Sequence, residues 1–80
     1  MICKLFPNPN SGVFDLDIRF DKPKEGTIRL LDVIGNKVWS EDFSGTTIKE
    51  HIFLADIVAS TYFLIIKTGE QEWMKEVVIY

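Results

Sequence analysis

The sequence predicts an all-β domain, an immunoglobulin-like antiparallel β-sandwich of about seven strands. Of the 80 residues, 31 are Ile, Val, Thr or aromatic, against only 2 Ala, and such side chains suit a pleated, half-buried surface. Clusters of Pro, Gly, Asn, Asp and Ser interrupt the apolar segments at intervals too short for crossover helices. One segment alternates strictly, with Phe14, Leu16, Ile18 and Phe20 between Asp15, Asp17, Arg19 and Asp21; this is the period of a strand with one face buried. The length fits one small domain. Ordering each residue costs on the order of 1.5 kcal/mol, so a second domain, a large enclosed active site and a cofactor-binding fold are not expected.

In chain order, a short strand is expected at Cys3 to Phe6. Pro7-Asn8-Pro9-Asn10-Ser11-Gly12 follows as a shaped turn, because two prolines fix φ and lack amide donors while Gly12 tolerates positive φ. The alternating strand covers about residues 13–20 and is expected to end at Asp21-Lys22-Pro23-Lys24-Glu25-Gly26. Thr27 to about Val33 forms the next strand. It turns through Asp32 to Asn36 into Lys37–Phe43, with Asp32 accepting turn amides and Gly35 left-handed. Ser44-Gly45-Thr46 breaks the chain before a strand carrying Ile48, Ile52 and Leu54. Residues 55–59 are too few for an independent helix. Tyr62-Phe63-Leu64-Ile65-Ile66 is apolar on both faces, as expected of a central strand covered on both sides. Thr68-Gly69-Glu70-Gln71 turns into the last strand, Trp73 to Tyr80.

The formal charge of −3 and the scattering of basic residues argue against nucleic acid as a partner, since phosphate binding needs a concentrated basic surface. Cys3 is the only cysteine, which excludes an intrachain disulfide and a multi-thiolate metal site. No apolar run reaches the roughly 18 residues of a membrane helix, and residues 1–6 are too short for a secretory signal peptide. His51, the only histidine, lies in an expected strand between charged residues and reads as solvent-facing rather than as a base. Asp15, Asp17 and Asp21 share one face, but calcium sites usually wrap the ion with loops and Arg19 interrupts the row, so a solvated face is expected there, not a metal site. Trp39, Tyr62, Trp73 and Tyr80 admit two readings, a sugar-stacking platform or core filling, with Tyr62 assigned to the core. No phosphate loop, dinucleotide fingerprint or zinc-ligand spacing is present, and no cofactor is expected.

The order of these segments resembles the type A C-terminal sorting domain of the type IX secretion system, found at the ends of exported proteins in the Bacteroidota. Leu5-Phe6-Pro7-Asn8-Pro9-Asn10-Ser11-Gly12-Val13-Phe14 resembles that family's opening Y/F-P-N-P-x-x-G segment. Asp32-Val33-Ile34-Gly35-Asn36-Lys37-Val38 is similar to its D-x-x-G-K/R-x-V hairpin with one residue inserted after the glycine. Leu54, Ile57 and Tyr62–Ile66 resemble its L-x-x-L-x-x-G-x-Y-x-V-x-I segment, with Ser60 where glycine is common; a positive φ there would strain Ser60. Gly69 and Lys75-Glu76-Val77-Val78-Ile79-Tyr80 are similar to the closing turn, lysine and apolar tail. The resemblance runs from Leu5 to Tyr80.

That resemblance implies a single non-enzymatic domain, residues 1–80, at the C-terminal end of a larger exported protein whose own signal peptide lies upstream. Its implied route runs through the periplasm to secretion or the cell surface. Its implied partners are the N-terminally fused cargo, the outer-membrane translocon and a sortase-like protease that joins the cargo to an anionic lipopolysaccharide. The turn residues carrying the match are Pro7, Asn8, Pro9, Gly12, Asp32, Gly35, Tyr62 and Gly69. For the last strand two readings stand: Lys75, Val77, Val78 and Ile79 present an edge and a basic side chain to the translocon, or Val77 and Ile79 fill the core and Lys75 is solvated. Two further classes compete, a carbohydrate-binding or adhesive module with Trp39 and Trp73 on one exposed face, and a plain structural module that caps a neighbour.

Overall fold

A computed structural model describes residues 1–80. It holds five strands and no helix: β1 (Ile2–Phe6), β2 (Val13–Leu31), β3 (Lys37–Phe53), β4 (Ser60–Thr68) and β5 (Glu72–Ile79). All pairings are antiparallel; β2 pairs with β1, β3 and β4, and β5 pairs with β4. No helix is long and apolar enough to cross a membrane.

The all-β antiparallel class is as expected, but the count of about seven separate strands is corrected to five. Two expected interruptions bend a strand without ending it: Asp21–Gly26 stays extended inside β2, and Ser44-Gly45-Thr46 inside β3. They face each other. Arg19 pairs with Thr47 and Lys24 with Gly45, so residues 20–23 of β2 oppose Thr46 alone. Surplus residues on one strand of a pair bend and twist it. Pro23 falls in this unpaired stretch, where its missing N–H forfeits no ladder bond, so proline and glycine here mark a corner rather than a reversal.

Past the corner the inward alternation resumes. Phe14, Leu16, Ile18 and Phe20 before it, and Ile28 and Leu30 after it, are all buried. They share one cluster of 15 residues with Leu5, Phe43, Ile48, Ile52, Tyr62, Leu64, Ile66, Val77 and Ile79. A single core fed by both halves of β2 requires the sheet to curl over on itself. On one side, the first half of β2 lies between β1 and the second half of β3; on the other, its second half lies between the first half of β3 and β4, with β5 beyond. Each fully buried Leu, Ile or Phe contributes about 1.5–3 kcal/mol, which is how so short a chain holds together.

The corner also explains Gly26, which pairs with Phe43 on one side and Thr68 on the other. A Cβ built there would collide with the Lys67 carbonyl, so the approach of β4 excludes any side chain. Phe20 stacks on Phe43 at 5.7 Å between centroids and meets Trp73 at 5.9 Å, tilted by 53°. These three rings seal the end of the core beside the bend.

The hairpin turn forms as expected: the Asp32 carboxylate accepts the amides of Ile34 and Asn36, at 3.1 and 2.8 Å, and Gly35 has φ +92°. Thr68 donates to the Gln71 carbonyl at 2.9 Å, closing the β4–β5 turn. Ser60 is not strained. It opens β4 opposite Ile79, and the left-handed residue of this loop is Asp56, at φ +58°, a type that tolerates that region. The expectation that β4 is covered on both faces is corrected: no second layer lies over Phe63 and Ile65. Ile65 is shielded instead by its rung neighbours Arg29 and Met74.

Candidate functional site

Two prolines deprive the Pro7–Gly12 loop of two backbone donors, and the loop replaces them with amide side chains. The two X–Pro bonds, at Pro7 and Pro9, are cis. Asn10 is buried; its side-chain oxygen accepts the Gly12 amide at 2.8 Å and its nitrogen donates to the Pro7 carbonyl at 3.0 Å. Gly12, at φ +102°, leaves only 2.9 Å between a hypothetical Cβ and Ile57 Cγ2, and its carbonyl accepts the Leu54 amide. The loop is thereby fixed from within and tied to the segment after β3.

Thus braced, it runs along the outer edge of β5. Asn8 donates from its side chain to the Glu76 carbonyl and accepts the Val78 amide, both at 2.9 Å. Asn10 then uses its main chain, donating to the Val78 carbonyl at 3.0 Å and accepting the Tyr80 amide at 2.9 Å, in a parallel bridge to Ile79. The carboxamide of Asn8 and the main-chain N–H and C=O of Asn10 together mimic a short extra strand. β5 is last in the sheet, yet its terminal edge is already paired. Unpaired edges invite non-specific pairing, and this loop removes the invitation from Glu76 onward.

The period of two divides the four β5 residues singled out from sequence. Val77 and Ile79 point inward and are buried. Lys75 pairs with Leu64 and also faces inward, half-buried at the rim against Cys3. Only Val78 faces outward, on the side that carries Met74. Burial pushes the Cys3 thiol up, Lys75 opposes the shift and Asp17 adds to it, so the thiolate is disfavoured.

Of the turn residues, Pro7, Asn8, Pro9 and Gly12 make the loop just described, Asp32 and Gly35 the β2–β3 hairpin, and Gly69 the β4–β5 turn. Tyr62 is buried and its hydroxyl donates to the Val58 carbonyl at 2.6 Å. That bond fixes the chain where it passes from β3 to β4, the geometry of a tyrosine corner.

The remaining candidates do not assemble. His51 Nδ1 lies 2.8 Å from Asp15 Oδ1 in the open, and its neighbouring rungs carry Phe6, Lys4, Asp17 and Lys49, with no hydroxyl or thiol. Asp17 accepts from Arg19. Trp39 and Trp73 pack against the core from strands β3 and β5, on opposite sides of β2 and β4, so they offer no common platform for a sugar.

Sequence reasoning took Asn8 and Asn10 as turn formers and missed that they pair with β5. The available signal was two carboxamides at i and i+2 beside residues without amide donors. It also missed that Val33 (62% exposed), Ile34 (80%), Phe53 (70%) and Val58 (73%) gather at one end. Two adjacent β-branched residues at the tip of a hairpin, where turn chemistry favours polar types, were the sign.

A family model described as "Secretion system C-terminal sorting domain" matches residues 4–80. No curated protein matches the chain.

Proposed function

The chain belongs to the type IX secretion-system C-terminal sorting domains, and from that membership we propose that it directs an N-terminally fused cargo through the outer membrane to secretion or the cell surface. The family match over residues 4–80 carries the reading. In this reading the domain folds in the periplasm, is recognised by outer-membrane translocon components, and is then removed by a sortase-like protease. We read the curled sheet as a variant of an immunoglobulin-like sandwich; the corner at Tyr62 and the two-sided path of β2 and β3 support this.

In this reading recognition falls to the last strand, Lys75, Val77, Val78 and Ile79, with roles divided by the pleat. Val77 and Ile79 anchor the strand in the core, while Val78 and the rim lysine stand where a receptor reaches them. A sorting signal of this kind needs a stable, accessible shape and no chemistry, which fits a small core with little surplus stability.

The test is a folded reporter carrying an export signal, fused ahead of the 80 residues in a type IX-competent host. Reporter at the cell surface or in the medium is the expected result; reporter stalled in the periplasm overturns the sorting role. Removing residues 75–80 abolishes export. Because that deletion also strips buried Val77 and Ile79, Lys75→Ala serves as the partner variant that leaves the core filled, and export lowered by Lys75→Ala assigns the rim lysine.

A further inference from the structure

At the end of the strands opposite the Phe20–Phe43–Trp73 seal, the 32–36 and 54–59 loops leave an open groove of about 590 Å³ between them. Val33, Ile34, Phe53 and Val58 line it, each more than 60% exposed. Folding alone gives a small domain no reason to gather four large apolar side chains in water, and contiguous patches of this kind mark interaction surfaces.

Location and charge say what fits. Met1 lies at the sealed end, beside Phe20, Lys22, Lys24 and Trp73, so a cargo joined ahead of it leaves the groove uncovered. Asp32 and Asp56 are the only charged residues lining the groove, with no Lys, Arg or His among them, and Asp56 has no ion-pair partner. Two copies docked groove to groove would face these carboxylates against their own kind, and an anionic membrane surface would be repelled. A partner that places Lys or Arg beside apolar side chains satisfies both features.

The geometry points to this groove as a docking site for a protein segment of the export machinery, one that inserts apolar side chains between the 32–36 and 54–59 loops and sets a basic residue against Asp56. This rests on the sorting function proposed above and adds to the last strand a second recognition surface at the end farthest from the cargo.

The reporter fusion tests it with three variants. Ile34→Asp combined with Val58→Asp lowers export by about tenfold or more, the scale of losing central apolar anchors. Asp56→Asn, which keeps the shape and the left-handed backbone, lowers it by about threefold. Glu70→Lys, at an exposed turn by the sealed end, leaves it unchanged. Purified variants keep the parent's thermal melting. A photo-crosslinking residue at position 34 gives, in living cells, an adduct with an outer-membrane export component. Normal export of both groove variants overturns the site while the sorting function stands; failure of the unmodified fusion overturns the sorting function itself. An adduct only with a second copy, or none at all, also overturns the site.

Discussion

At one end of the strands Phe20 lies against Phe43 and Trp73 and closes the core with aromatic contacts; at the other, Val33, Ile34, Phe53 and Val58 stand in water around a groove. The residue types are alike and the fates opposite. The difference lies in what holds each end together. The sealed end is held by rings packed over the bend, so its shape and its stability are one property. The open end is held by polar bonds from Asn10, Asp32 and Tyr62 beneath the display, so its apolar tips are free to serve a partner.

That contrast is open to direct attack, and the sealed end gives the largest effect. Phe20→Ala removes the ring that touches both other aromatics and costs about 3 kcal/mol, at the low end for buried Phe truncations because Phe20 sits at the margin of the core. Urea unfolding followed by tryptophan fluorescence measures it, and a change below about 1 kcal/mol would mean the rings do not seal this end. At the open end, Asn10→Ala leaves the buried Gly12 amide without its acceptor and costs about 2 kcal/mol. Asn8→Ala, whose bonds are exposed, costs less, about 0.5–1 kcal/mol, but it uncovers the edge of β5. Faster amide exchange at Val78 in Asn8→Ala is the specific readout of that edge.

Tyr62→Phe probes the same end more gently. It removes one hydrogen bond to Val58 and keeps the ring in the core, for about 1 kcal/mol. A loss as large as that of Phe20→Ala would make the corner, rather than the packing, the main support of the open end.

How much of this was legible in the sequence follows the range of the forces involved. Period-two alternation is local, so Phe14, Leu16, Ile18 and Phe20 declared their strand and its inner face without help. Asp21–Gly26 reads as the end of a strand because proline and glycine announce that a ladder is interrupted, not whether the chain reverses; that the chain only bends, at residues 20–23, depended on Thr46 and Gly45 across the pair. The loop at Pro7–Gly12 was recognised as shaped, but its bonds to Glu76, Val78 and Tyr80 span nearly the whole chain, and no local pattern carries that information. For the same reason Lys75, Val77, Val78 and Ile79 formed one group on paper and two in space. The apolar groove was hidden because its sides come from two separate loops; Val33 and Ile34 mark one of them as unusual, but nothing local says that Phe53 and Val58 stand opposite.

Between the two ends runs the open edge of β3, and the smallest expected effect lies there. Glu50 pairs with Leu16 and Glu41 with Ile28, so both carboxylates sit on the inward side of this edge, one on each half of the curled sheet. Burial, and secondarily the Glu41 charge, pushes the Glu50 carboxyl up from its ordinary value. A raised carboxyl binds its proton more tightly in the folded state than in the unfolded one. The resulting stabilisation is complete below the ordinary carboxylate range and is lost as pH rises through the raised folded value. At neutral pH Glu50 is therefore a mild liability. Glu50→Gln is expected to raise stability at pH 7 by no more than about 0.5 kcal/mol, with the gain vanishing as the pH falls below the ordinary carboxylate range. Urea melts of both proteins at several pH values measure it. A gain that persists unchanged into acid would assign the effect to packing at the rim and not to the ionised carboxylate.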